Sequence, residues 1–264
     1  MENTVIARLS GGGQSNLSTI TGIGAGSGPF RAAGKETIKR GFTLAEVLIT
    51  LGIIGVVAAM TLPALVGNYK KTQTISQLKK VYSTLSQSML SSVYDNGDSS
   101  NWVDTSLEIS AENSKQYFDK YWKPYLKIIK MCDTPKSCGY SSNRVKYLSG
   151  DEVIFIIDKT RTTGFLQDGT LLSFVTVDWG DAGAYYTSTQ LVRADLNGPK
   201  PPNVIGKDIF VFQINLKTNS VKPACNSYSE EKVNEDCKAG GKGECCLQKI
   251  INDNWTIKDD YPWK

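Results

Sequence analysis

A single long apolar run dominates the hydropathy pattern of the chain. It covers residues 42–66 with the sequence FTLAEVLITLGIIGVVAAMTLPALV, and its only charged side chain is Glu46. As an α-helix, these 25 residues would span about 37 Å, which is enough to cross a hydrocarbon core of about 30 Å. We therefore predict a transmembrane helix over 42–66. A cleaved secretory signal is the nearest alternative, but its apolar region would be about half as long.

The pattern after this run is that of an amphipathic helix. Apolar side chains recur at spacings of three and four residues with polar side chains between them, at Ile75, Leu78, Tyr82, Leu85 and Met89. This periodicity predicts that the helix continues over 67–95 and frays in the turn-forming cluster 95–98. We expect its apolar stripe to pack on a sheet, with a partner-binding groove as the alternative.

Strand patterns dominate the remaining segment, 96–264. A shorter helix is predicted over 115–130, broken at Pro124, and Asp168 with Gly169 marks a tight hairpin between two apolar runs. The runs that predict strands are 153–158, 163–166, 171–177 and 209–216. Hairpin connections without alternating helices imply an antiparallel sheet. The expected fold class is α+β, with one long N-terminal helix packed on an antiparallel sheet of about four strands.

The composition weakens two classes of function. The chain has no histidine, which removes the commonest general base and the commonest neutral metal ligand, so an enzyme is not expected. Asp168 and Asp178 have ordinary explanations as turn and surface residues. The net charge is only +4, which gives no support to nucleic acid as a partner.

All six cysteines follow the apolar run, at positions Cys132, Cys138, Cys225, Cys237, Cys245 and Cys246. An even number of cysteines in the part predicted to lie outside the membrane favours disulfides in an oxidising compartment. A zinc site is the competing interpretation, but the chain has no Cys-x-x-Cys pair. Cys132 and Cys138 enclose five residues including Pro135, so we expect them to pair. Adjacent cysteines rarely join each other, so Cys225 and Cys237 should each take one of the adjacent pair; the order is left open.

The segment 39–49, KRGFTLAEVLI, resembles the cleavage motif of type IV prepilins and type II secretion pseudopilins. Basic residues precede Gly41, the aromatic Phe42 follows it, and Glu46 lies five residues past the glycine. Pro63 falls late in the apolar run, where these families carry a helix-bending proline. The resemblance implies a pilin-like fold and a structural filament subunit.

The resemblance also implies a processing route and partners. Prepilin peptidase would cleave between Gly41 and Phe42, remove 1–41, which we predict to be a disordered Gly- and Ser-rich leader, and methylate the new amine of Phe42. An inner-membrane assembly platform would then extract the subunit from membrane lipid into a polymer with other pilin or pseudopilin subunits. The N-terminus would be cytoplasmic and 96–264 extracytoplasmic, although basic residues flank both ends of the apolar run, so the positive-inside rule adds little.

Two residues of the apolar run are predicted to act in assembly. A carboxylate near the middle of an inserted helix costs about 2.5–3.5 kcal/mol, so Glu46 requires a partner unless it lies at the headgroup level. Pro63 lacks an N–H and frees the carbonyl of Ala59, so a kink or a loosened turn is expected there. The alternative function is a single-pass anchored binding domain that does not polymerise.

A loop in the globular part carries a candidate metal site. Asp195, Asn197 and Asp208 offer the hard oxygen ligands that calcium prefers, and some secretion pseudopilins bind calcium in a comparable loop. The alternative is that these side chains cap turns around Pro201 and Pro202.

Overall fold

The long N-terminal helix forms as one element. In the computed structural model, which describes residues 41–102, 110–142, 144–154, 161–175 and 189–263, helix α1 runs over Leu44–Asn96. Gly97 ends it at a φ of +77°, with its N–H donating to the carbonyl of Val93 at 2.9 Å. Within the described residues, α1 is the one helix long and apolar enough to cross a membrane. The predicted leader, up to residue 40, lies outside the described residues.

The rest of the chain supplies eight strands and three further helices in its described parts. In chain order these are α2 (Ala111–Tyr121), β1 (Ile128–Cys132), β2 (Arg144–Lys146), β3 (Glu152–Ile154), β4 (Arg161–Leu166), β5 (Leu171–Val175), β6 (Thr189–Asp195), β7 (Ile209–Asn215), β8 (Ser220–Pro223), α3 (Glu230–Asp236) and α4 (Cys246–Asn252).

The strands form one antiparallel sheet of six and one pair. The large sheet has the order β1-β4-β5-β6-β7-β8, and β2 pairs with β3. Phe174, Val192 and Phe212 lie in register on three neighbouring strands, with their side chains in one core cluster. The α+β, pilin-like arrangement of a long helix followed by an antiparallel sheet is therefore confirmed.

Two details of the predicted elements were wrong. The helix expected over 115–130 ends at Tyr121, and its last residues instead form β1, because their backbone groups pair with β4. Pro124 lacks the N–H that would continue the helix. The sheet has six strands and not about four, since polar side chains hide the strand pattern of β6 and β8, and the first residues of β1 fall within the predicted helix.

Three of the predicted strands match β4, β5 and β7 in the large sheet. The fourth, 153–158, corresponds in its described part to β3, which pairs with β2 in the small sheet, and residues 155–158 lie outside the described residues. Residues 176 and 177, at the end of the run predicted over 171–177, lie outside them as well. The hairpin at Asp168 and Gly169 joins β4 to β5, with Gly169 at a φ of +86° and Asp168 Oδ1 accepting the Thr170 N–H at 3.0 Å.

The chain divides into two units between Ile53 and Ile54, and the core belongs to the second. There, one face of α1 is buried against the sheet and α2, through Leu78, Val81, Leu85 and Met89. Strand β7 alternates between two apolar clusters, with Phe210 and Phe212 in the first and Ile209 and Val211 in the second. Both faces of this interior strand are thus covered, which explains its nearly continuous apolar sequence.

Candidate functional site

The first residues of α1 form a capping box. The Thr43 N–H and hydroxyl both donate to Glu46 Oε2 at 2.8 Å, and the Glu46 N–H donates to Thr43 Oγ1 at 3.2 Å. These reciprocal bonds satisfy backbone donors that a helix start leaves unpaired. Our sequence prediction missed this role of Glu46, although a threonine followed three residues later by glutamate is its recognised pattern.

The predicted processing residues are exposed at the start of the described chain. Phe42 is 88% exposed, and the space where Gly41 would carry a Cβ has no neighbouring atom within 4 Å. The described chain therefore does not itself require glycine at 41. Cleavage between Gly41 and Phe42 stays a prediction.

Large apolar side chains cover the surface of α1 before Lys70, and Pro63 lies inside the uninterrupted helix. The exposed side chains include Leu48, Ile49, Leu51, Ile53, Ile54, Val56, Val57, Met60, Leu62 and Leu65. A surface of this kind requires lipid or other apolar helices around it.

Three disulfides link the described cysteines. Cys132 joins Cys138 at the end of β1, Cys225 joins Cys245, and Cys237 joins Cys246. The second bond connects the chain after β8 to the start of α4, and the third connects the end of α3 to the start of α4. These two bonds show which of the adjacent cysteines pairs with Cys225 and which with Cys237, the question that the sequence left open.

The structure brings Asp195 and Asp208 together at the ends of β6 and β7. Tyr140 donates its hydroxyl to Asp195 Oδ2 at 2.6 Å, and the Asn197 N–H donates to Oδ1 at 3.2 Å. Asp208 accepts the N–H groups of two loop residues, Asn203 and Val204, each at 2.8 Å. Burial raises the pKa of both carboxyls, and the charge of Asp208 raises that of Asp195 further.

These hydrogen bonds are the ones expected if the carboxylates cap turns of the loop and do not bind calcium. All four carboxylate oxygens of Asp195 and Asp208 accept hydrogen bonds, and the side chain of Asn197 is exposed. In the parts of the chain that the structure covers, no three or more Asp, Glu or Cys residues are grouped so that they could hold a metal. Calcium binding stays a prediction.

A polar cleft of about 520 Å³ lies between α1 and the loop that carries these carboxylates. Its basic residues come from separate segments, Lys70 from α1 and Lys200 and Lys207 from the loop. Its other walls are formed by Gln73, Thr74, Gln77, Asp168, Gly169, Leu196, Asn197, Pro201, Pro202, Asp208 and Trp263. Sequence reasoning missed the cleft, because only folding brings these segments together.

The C-terminal segment that carries Trp263 is held in place by buried polar contacts. The Tyr261 hydroxyl donates to the carbonyl of Gly206 at 2.6 Å, and the buried Lys249 ammonium lies 2.7 Å from Asp260 Oδ2. These contacts lie two and three residues before Trp263, which forms part of the wall of the cleft.

Two family models match the chain. Residues 64–264 match a family of unknown function (DUF6613), and residues 38–62 match the prokaryotic N-terminal methylation motif, the leader signature of type IV pilins and pseudopilins. No curated protein and no solved structure matches the chain.

Proposed function

The chain belongs to a family of unknown function (DUF6613), and because its N-terminal methylation motif leads into an apolar helix, we propose that it is a filament subunit. It would be a structural subunit of a type IV pilus or of a type II secretion pseudopilus. The observation that carries the proposal is the motif itself, at 38–62, at the start of a helix whose apolar side chains are exposed.

Processing and assembly follow from this assignment. Prepilin peptidase removes 1–41 and methylates the amine of Phe42, and an inner-membrane platform moves the subunit from lipid into the filament. The apolar half of α1 then exchanges lipid contacts for contacts with neighbouring helices. Lipid and protein are nearly equally apolar, so packing alone discriminates weakly between possible staggers of the helices.

Glu46 can favour one stagger of neighbouring helices over the others. An unpaired charge in hydrocarbon costs several kcal/mol, and cleavage creates a cationic amine on Phe42 four residues before the carboxylate. Both hydrogen bonds from Thr43 fall on Oε2, so within the described chain Oε1 remains open to the amine of a neighbouring subunit. Pairing across subunits would neutralise both charges at one stagger.

The test compares Glu46→Ala with Thr43→Val. Glu46→Ala removes the carboxylate, so we expect normal insertion and cleavage but at least a tenfold loss from the sheared filament fraction, because a charge mismatch of about 1.4 kcal/mol already gives that factor. Glu46→Gln should be intermediate at best. Thr43→Val keeps the carboxylate and removes the capping hydroxyl, at a cost of about 0.5–2 kcal/mol to the helix start.

The two variants separate a charge role from a capping role. Filament yield close to wild type for Thr43→Val, with loss for Glu46→Ala, supports pairing across subunits. Equal losses would assign Glu46 to helix capping instead. A fully processed wild-type chain that yields no filament in its native host would favour the anchored, non-polymerising binding domain.

A further inference from the structure

The cleft arises where the buried face of α1 changes from apolar to polar. Val81 and Leu85 are buried against the sheet. One, two and three turns before Val81 on the same face stand Gln77, Thr74 and Lys70, which line the cleft instead of the core. Because these side chains are polar, a water-accessible space remains between α1 and the loop, at the end of the domain nearest residue 66.

The opposite wall adds two lysines to a lining that contains two carboxylates. Lys200 is exposed, and Lys207 lies further along the same loop. The two carboxylates in the lining are already engaged, since Asp168 Oδ2 lies 2.7 Å from Lys80 Nζ and Asp208 accepts two backbone N–H groups. Lysines on both walls face a cavity whose size is that of an ordinary small-ligand site.

The predicted span over 42–66 would place the cleft at the depth of lipid headgroups. Lys70 is four residues past Val66, the last residue of the predicted span, or about 6 Å along the helix axis. The headgroup layer is roughly 5–7 Å thick on each side of the hydrocarbon core. Tyr69 beside it is 67% exposed, and Trp263 lines the cleft, as expected of aromatic side chains at a membrane interface.

We propose that this cleft binds the headgroup of an anionic phospholipid while the subunit is still in the membrane. Lys70 and Lys200 hold the phosphate, Lys207 adds positive charge to the same wall, and the amides of Gln73 and Gln77 offer hydrogen bonds to further headgroup oxygens. The inference shares with the proposed function only the membrane position of 42–66, and it does not require the chain to polymerise. A zwitterionic headgroup brings its own cation among the lysines and is disfavoured.

The experiment measures thermal unfolding of the full chain in nonionic detergent with added short-chain lipid. Dioctanoyl phosphatidylglycerol should raise the Tm by about 3–6 °C at ten times its dissociation constant. Dioctanoyl phosphatidylcholine and inorganic phosphate at the same concentration should raise it by less than about a third of that shift, and 0.5 M salt should reduce the phosphatidylglycerol effect.

Lys200→Glu and Lys222→Glu form a matched pair. Both lysines are exposed and both changes alter the net charge equally, but Lys222 is on β8 and not among the residues that line the cleft. We expect Lys200→Glu to lose at least half of the phosphatidylglycerol shift and Lys222→Glu to keep it.

Three results would overturn the inference. Equal shifts in the two variants would mean that phosphatidylglycerol acts through net charge, and an equal shift with inorganic phosphate would identify a free anion as the ligand. Loss of filaments in Lys200→Glu with an unchanged lipid shift would make the cleft a contact between subunits. Glu46→Ala keeps the cleft, so a lipid shift without filaments in that variant separates this inference from the proposed function.

Discussion

Gly243 and Gly240 have the same backbone φ, but only Gly243 has atoms close to the position that a Cβ would occupy. Comparing alanine at the two positions therefore separates the cost of the conformation from the cost of the contacts. Both glycines have a φ of +83°. A Cβ on Gly243 would lie 2.4 Å from the Ile205 carbonyl oxygen and 3.0 Å from Leu148 Cδ1, whereas a Cβ on Gly240 would have no atom within 4 Å. Alanine at the two positions therefore adds the same φ strain but different contacts.

The expected losses of unfolding free energy follow from these distances. The left-handed conformation costs a non-glycine residue about 1–2 kcal/mol, and the lower entropy of the unfolded alanine chain returns about 0.4–1 kcal/mol. Gly240→Ala should therefore cost about 0–1.6 kcal/mol. Overpacking adds about 1–3 kcal/mol, so Gly243→Ala should cost about 1–5 kcal/mol in all, towards the upper end because the clash is with a backbone carbonyl.

Urea unfolding of the full chain in nonionic detergent, followed by tryptophan fluorescence, measures both variants. The midpoint should fall further for Gly243→Ala, with an unchanged slope for both. Equal losses, within about 0.5 kcal/mol, would refute the reasoning, because the loop containing Ile205 would then move aside without cost. A large loss for Gly240→Ala alone would contradict it as well.

Three further predictions concern the core and the buried carboxylates. Leu85→Ala should cost about 2–5 kcal/mol in the urea assay, whereas Leu90→Ala, on the same helix but 63% exposed, should cost less than about 0.5 kcal/mol; similar losses would contradict the packing of α1. The pKa values of Asp195 and Asp208 are raised in the folded chain, so above a pH of about 4 the folded chain keeps protons that the unfolded chain releases. The free energy of unfolding should therefore fall as the pH rises from about 4 towards the raised pKa values, and it should fall less steeply in Asp195→Asn. An equal slope in Asp195→Asn would mean that other groups cause the pH dependence. EDTA should leave the Tm unchanged if these carboxylates only organise the loop, and a decrease that calcium reverses would establish the calcium site.

Short-range patterns were sufficient for several elements. The apolar run and the three- and four-residue spacing after it predicted α1, because a helix forms through contacts between residues close in sequence. The same is true of the hairpin at Asp168 and Gly169, whose turn is formed by adjacent residues. The capping box of Thr43 and Glu46 was equally local, and a search for that pattern would have found it.

Only the tertiary structure decided the features that join distant segments. Strands β1, β6 and β8 form by pairing with neighbouring strands, which no local pattern revealed, and the order of the disulfides depended on how α3 and α4 pack. The meeting of Asp195 with Tyr140 and the lysine-lined cleft have the same origin. The sequence determined where the long apolar helix begins and ends, because helix preferences act over a few residues. Folding determined which side chains share a site, because the free energy of burial depends on contacts between residues far apart in the chain.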